Sequence, residues 1–166
     1  QATDKEYIAT VGLGHTTPSY DLETDFDADY STEHITKALV EKVVDRFRGE
    51  IYQVPPLFSA KMIDGKRAYK IARKGRDVQL PAQKVIIHEL ELIDFQPEEI
   101  QLRVLCSKGT YIRSLAHDLG RALNCGGYLK ALRRTKSGNY MLKDAITLQQ
   151  FDELLLNLQP FPIDKT

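Results

Sequence analysis

The stretch with the most chemical content is Cys106-Ser107-Lys108-Gly109-Thr110-Tyr111-Ile112-Arg113. A β-rich run ends at Cys106 and a helical pattern opens at Thr110. Gly109 permits a sharp turn between them, and Lys108 stands just before the break. Thr110 can cap the helix, whose N-terminus favours an anion. Arg113 then falls in the first turn, where the helix dipole disfavours a cation. An arginine there calls for a carboxylate partner or an RNA phosphate. The plain alternative is a surface arginine at an ordinary strand-to-helix junction.

A second constellation is Gln53-Val54-Pro55-Pro56-Leu57-Phe58-Ser59-Ala60-Lys61, followed by Gly65-Lys66-Arg67-Ala68-Tyr69 and Ala72-Arg73-Lys74-Gly75. A rigid Pro-Pro entry leads into a small basic unit with Tyr69 among lysines. Cations interleaved with an aromatic suit phosphate contact plus base stacking; a solvated hairpin and helix is the alternative. Lys5-Glu6-Tyr7 says little alone, since a tyrosine near a strand start is more often core or rim than catalytic.

The formal charge is zero, from 23 Lys and Arg against 23 Asp and Glu, but the signs are segregated. Residues 1–34 carry eight acids and one base, Lys5. Lys61 to Arg76 carries seven bases and one acid, and Lys130 to Lys143 five bases and no acid. Such asymmetry supports polyanion binding on one face, against the alternative of solvated helix faces.

The elements that must hold these residues follow from periodicity. Lys5 to Leu13 alternates as a strand, with Tyr7, Ala9, Val11 and Leu13 on one face. Gly14 to Tyr30 reads as a long acidic loop. Ser31 or Thr32 is expected to cap a helix carrying Ile35, Leu39, Val43 and Phe47, stopped by Gly49. Ile51 to Val54 is a short strand, Asp64-Gly65 a hairpin turn, and Arg67 to Lys74 a short basic helix closed by Gly75. Lys84 to Phe95 and Ile100 to Cys106 form an antiparallel pair. Thr110 opens a helix to about Leu123, and Gly126-Gly127 breaks it. Tyr128 to Tyr140 is a strand or strand pair with basic residues outward, and Thr147-x-x-Gln150 opens a last helix. The irregular mixture favours an α+β fold with a mixed, mainly antiparallel sheet and flanking helices.

At 166 residues, 42% of them hydrophobic, the chain can bury one core. No apolar run approaches the roughly 18 residues of a membrane span. Gln1 to Tyr7 lacks an apolar signal region. Cys106 and Cys125 have neither CxxC nor metal spacing, so free thiols and a cytoplasmic location are expected.

Taken in series, these stretches resemble the TruB family of tRNA pseudouridine synthases. The matching residues are Lys5-x-Tyr7, Leu13-Gly14-x-x-Thr17-x-x-x-Asp21, Phe47-x-Gly49, Gln53-x-Pro55-Pro56-x-Phe58-Ser59-Ala60-Lys61, Gly65-Lys66-x-Ala68-Tyr69, Ala72-Arg73-x-Gly75, the Cys106–Arg113 run and Leu132-Arg133-Arg134. The resemblance implies isomerisation of a uridine in the tRNA T loop to pseudouridine, with no metal and no cofactor. It implies a pseudouridine synthase fold, here incomplete, over residues 1–158, with a basic insert at 57–84 closing on the T arm and a tail at 159–166. Tyr7 would stack on the target base, Arg113 would hold a nucleophilic aspartate, and Leu132 would line the base pocket. Lys61, Lys66, Arg67, Tyr69, Arg73, Lys74, Lys108, Arg133 and Arg134 would contact RNA.

In the family the aspartate lies in a Gly-x-Leu-Asp-Pro-x-Ala-x-Gly motif upstream of the Lys-x-Tyr strand. No Leu-Asp-Pro occurs in this sequence, and Asp21, Asp25, Asp27 and Asp118 lie in other contexts. The expectation is a chain inactive by itself, with an edge or surface exposed near Tyr7 and Arg113 through which copies could associate. The competing expectation is a non-catalytic tRNA-binding or tRNA-folding protein on the same scaffold.

Overall fold

A computed structural model describes residues 4–57, 62–63, 66–67, 80–137 and 140–141, with side chains described for 4–57 and 80–135. The strands are β1 (Lys5–Leu13), β2 (His15–Thr16), β3 (Ala28–Asp29), β4 (Gly49–Gln53), β5 (Met62–Ile63), β6 (Lys66–Arg67), β7 (Gln83–Gln96), β8 (Glu99–Cys106), β9 (Gly127–Ser137) and β10 (Tyr140–Met141). The helices are α1 (Lys37–Asp45) and α2 (Ile112–Ala122).

Six strands form one sheet in the order β10-β9-β1-β8-β7-β4, every neighbouring pair antiparallel. The α+β reading with a mainly antiparallel sheet therefore holds. β2–β3 and β5–β6 are separate two-stranded ribbons. The second of these is the hairpin anticipated at Asp64-Gly65, with Ile63 opposite Lys66. The expected basic helix at 67–74 and the last helix from Thr147 lie outside the described residues.

β1 alternates because one face of the sheet is covered and the other open. Tyr7, Ala9 and Val11 stand opposite Val104, Leu102 and Ile100 on β8, and all six are buried. Val40, Val43 and Val44 of α1 and Ile112, Leu115, Ala116 and Leu119 of α2 complete that core. On the open face, Arg103 bonds Glu6, Glu89 and Glu91 at 2.9, 2.8 and 3.0 Å.

Several boundaries differ from expectation. α1 begins at Lys37 and is capped by Thr36, whose hydroxyl accepts from Leu39 N at 3.1 Å. Ser31 instead closes a local turn by accepting from Glu33 N. Ile35 is buried ahead of the helix, not in it. A hydroxyl can satisfy a nearby N–H in a turn as well as at a helix start, so Ser31 caps a local turn while Thr36, which the sequence reading passed over, caps the helix.

The expected edge near Tyr7 and Arg113 is not β1 itself, which is hydrogen-bonded on both sides, to β8 and β9. Among the described residues Tyr7 is fully buried and Arg113 only 3% exposed. Among the described residues, the outer edge of β9 is met only by an isolated parallel bridge from Asp21 to Leu129 and by β10 at Lys136 and Ser137.

Candidate uridine site and RNA-facing surface

Arg113 reaches the site through a turn that only particular residues allow. Gly109 sits at φ +84°, in the left-handed region that glycine enters freely. The chain then enters α2 with Tyr111 as N-cap, which makes no side-chain capping bond. Thr110 does not cap the helix as the sequence suggested; its hydroxyl donates to Ser107 O at 2.8 Å. The capping role passes to Gln53 at the end of β4. Its Oε1 accepts from Tyr111 N at 2.6 Å, and its Nε2 donates to Tyr111 O at 3.3 Å. Ser114 Oγ adds a 2.7 Å bond to Val54 O.

The distance between α2 and β9 is set by glycine. A methyl group at Gly120 would come within 2.1 Å of Gly127 N, so this close approach exists only without a side chain.

Arg113 does have the carboxylate its position demands. Asp21 Oδ2 lies 3.7 Å from Arg113 Nη1, and the side chains are only 3% and 4% exposed. At that separation the contact is charge attraction rather than a hydrogen bond. Burial pushes the Arg113 pKa down, and Asp21 is the largest influence holding it up. Asp21 is itself fixed: Oδ1 accepts from Ser19 Oγ at 2.5 Å and from Glu23 N at 3.0 Å. Its bridge to Leu129 ties it to β9.

β9 carries the other expected site residues. Leu132 stands opposite Ala9 and Arg134 opposite Tyr7, so both lie on the covered face with the tyrosine. The Arg134 guanidinium carbon sits 5.7 Å from the centre of the Tyr7 ring, within cation–π range. Lys5 and Lys108 belong to the same end of β1. Burial, then the nearby charge of Arg134, push the Lys5 pKa down; Cys106 opposes this and Lys108 adds to it. The charges of Arg134 and Lys108 are thus both felt at Lys5, two residues before Tyr7 on β1.

Arg133 does not join them. It stands opposite Ile8 on the open face and is exposed. Successive strand residues point to opposite faces, so adjacent arginines on β9 cannot serve one side of the sheet. Lys66 and Arg67 are on β6, while Lys61, Tyr69, Arg73 and Lys74 lie outside the described residues.

Sequence reasoning missed Asp21 as the partner of Arg113, Lys5 as a member of the cationic cluster, and Gln53 as the cap of α2. The dipole argument did signal that Arg113 needed an anion; nothing local said which. A cleft of about 570 Å³ lined by His15, Phe26, Tyr30, Glu98, Tyr128 and Lys130 opens near the far end of β1 and includes none of these site residues. Among the described residues, no group of three His, Cys, Asp or Glu side chains could hold a metal ion. Both cysteines are buried free thiols, Cys106 pushed up to about 11 by burial. No described helix is long and apolar enough to cross a membrane.

Residues 1–112 match the model of the TruB family pseudouridylate synthase N-terminal domain, and residues 113–160 that of the tRNA pseudouridylate synthase B C-terminal domain. The chain belongs to the TruB family. The two family models meet inside α2, between Ile112 and Arg113, so the Asp21–Arg113 pair joins residues from both. A protein of Phocaeicola vulgatus called tRNA pseudouridine synthase B is 56% identical over 151 residues, 91% of this chain and 64% of that relative. A protein of the same name from Bacteroides fragilis is 53% identical over 149 residues, 90% of this chain and 64% of the relative. The TruB-family chain thus spans just under two thirds of these relatives. Among solved structures, one described as a Cbf5-Nop10-Gar1 complex superposes with a TM-score of 0.60 at 28% identity, over 88% of this chain and 34% of the other.

Proposed function

We propose that the polypeptide carrying these residues isomerises a uridine in the tRNA T loop to pseudouridine, and that it works in the cytoplasm. The observation that carries the reading is the end of β1, where Tyr7, Leu132 and Arg134 share a face and Lys5 and Lys108 add positive charge. An aromatic ring with a guanidinium over it and further cations at the same end of β1 suits a flipped-out base and its flanking phosphates. Tyr7 provides the stacking plate and helps remove the proton from the base's ring carbon. For a base to stack there, the Arg134 guanidinium must leave the ring and move toward a phosphate. Leu132 lines the pocket.

The reaction needs an ionised aspartate to attack the sugar carbon while the base detaches, rotates and rejoins through carbon. A fixed arginine keeps such a carboxylate ionised and sets its angle. Arg113 takes that role, with Asp21 holding the guanidinium from the loop side. Asp21 itself is a poor nucleophile, because Oδ1 accepts two hydrogen bonds and the side chain is buried. With no Leu-Asp-Pro among the 166 residues, the nucleophile is not supplied within this sequence. The second reading, a tRNA-binding or tRNA-folding protein without catalysis, is favoured by that same engagement of Asp21. The basic insert at 57–84 grips the T arm in both readings. Association of two copies is a further element, checked by the mass of the protein in solution.

The test is a T-arm RNA labelled with tritium at carbon 5 of the target uridine. The 166-residue chain is expected to bind this RNA in preference to a scrambled hairpin and to release no tritium. Failure to discriminate the hairpins would sink both readings. Tritium release by this chain would place the nucleophile within it, after all. If the product of the complete native coding sequence binds without release, the non-catalytic reading stands.

A further inference from the structure

Two residues next to the Asp21–Arg113 pair are unexplained by the reaction. Arg113 and His117 lie one turn apart on α2, hence on one face. Tyr20 and Asp21 are neighbours in the acidic loop. Asp21 faces Arg113, and the Tyr20 ring stacks on the His117 imidazole with centroids 3.8 Å apart and planes 10° from parallel. Successive loop residues therefore dock on successive turns of the helix.

Tyr20 adopts φ +68°, a left-handed conformation that bulky residues rarely take. Something must hold it there. Its N donates to Thr17 O at 3.2 Å, and its O accepts from Leu129 N at 2.8 Å. These bonds fix the backbone against β9 but do not face α2. Toward α2 it is the ring that makes contact, stacked on His117, with its hydroxyl also influenced by Asp118 and Arg121 of that helix. His117 suits a packing role: its Nδ1 is buried and makes no hydrogen bond, and burial favours the neutral ring.

We propose that Tyr20 and His117 are positioning residues whose ring stack fixes the left-handed turn that aims the Asp21 carboxylate at Arg113. Arg113 geometry is thereby set one helical turn away from Arg113 itself. The link to uridine chemistry rests on the proposed function; the geometric claim does not.

The experiment uses the 166-residue chain without RNA. The Arg113 Nη–H signal in a nitrogen-15 spectrum is identified by its loss in Arg113→Lys. In wild type it is expected to exchange with water at least about ten times more slowly than a surface arginine. His117→Ala should erase that protection and move the signal toward the free-arginine position. His117→Phe and Tyr20→Phe, which keep both rings, should preserve it. Asp21→Asn should reproduce the loss, and adding His117→Ala to Asp21→Asn should change the signal no further, since the stack acts through Asp21. A folded His117→Ala chain with an unchanged Arg113 signal overturns the proposal. If that variant does not fold, His117→Leu fills the space without a flat ring, and an unchanged signal there overturns it equally. T-arm binding is measured separately, so failure of the functional reading leaves this result standing.

Discussion

Gln53 holds Tyr111 by both of that residue's backbone polar groups, accepting from its N–H and donating to its carbonyl. A side chain at the end of β4 thereby caps the helix that presents Arg113. The same residue stands two positions before Pro55-Pro56 and the basic insert. Gln53→Ala leaves the partly buried Tyr111 N–H without this partner, at a cost of about 1 kcal/mol. Denaturant unfolding is expected to show a loss of that size. Gln53→Glu keeps the acceptor and loses the donor, and should fall between Ala and wild type at neutral pH.

The Asp21–Arg113 pair is buried on both sides, so breaking it takes a carboxylate away from a buried guanidinium. Asp21→Ala should cost about 3–5 kcal/mol, the range for removing one partner of a buried pair. Replacing both, Asp21→Leu with Arg113→Met, should recover much of that loss, because no charge is then left buried. A double variant no more stable than Asp21→Ala would show that the carboxylate's bonds to Ser19 and Glu23 matter more than the ion pair.

The two faces of β9 make separable predictions for RNA. Lys108→Ala and Arg134→Ala remove cations from the Tyr7 end. Each should lower the magnitude of the log affinity–log salt slope for a T-arm RNA by about 0.7–1. Arg133→Ala, on the open face, should leave the slope unchanged. A slope lowered equally by Arg133→Ala would place RNA on both faces of the sheet. Lys66→Ala with Arg67→Ala should weaken binding and flatten the slope if the insert grips the T arm.

His117 gives the fold an acid-sensitive contribution. Burial, with Arg121 adding and Asp27 opposing, lowers its pKa below the ordinary 6.5. In the window below 6.5 the unfolded chain binds more protons at this residue than the folded one. Stability from His117 is therefore full above 6.5 and declines as pH falls toward the folded pKa. His117→Phe should flatten this part of the stability–pH curve, measured by denaturation between about pH 5 and 7. An identical curve for the variant would show that other groups carry the acid response.

The sequence alone determined what depends on near neighbours. Alternation in Lys5–Leu13 made β1, because a strand's side chains change face at every residue and one face is buried. Asp64-Gly65 marked the β5–β6 hairpin, and the turn before α2 needed Gly109. The motif series was enough to indicate the family, since each motif is a local run. Tertiary structure alone decided which distant residue meets which. The helix dipole said that Arg113 needed an anion, but the fold chose Asp21 by bridging its loop to Leu129 on β9. Several nearby hydroxyls could have capped α1 and α2; packing chose Thr36 for one and replaced Thr110 by Gln53 for the other. Arg133 and Arg134 read as one basic pair, yet the register of β9 against β1 sent them to opposite faces. These outcomes turn on sheet register and on burial, which are set by all the strands together and leave no mark at any single position.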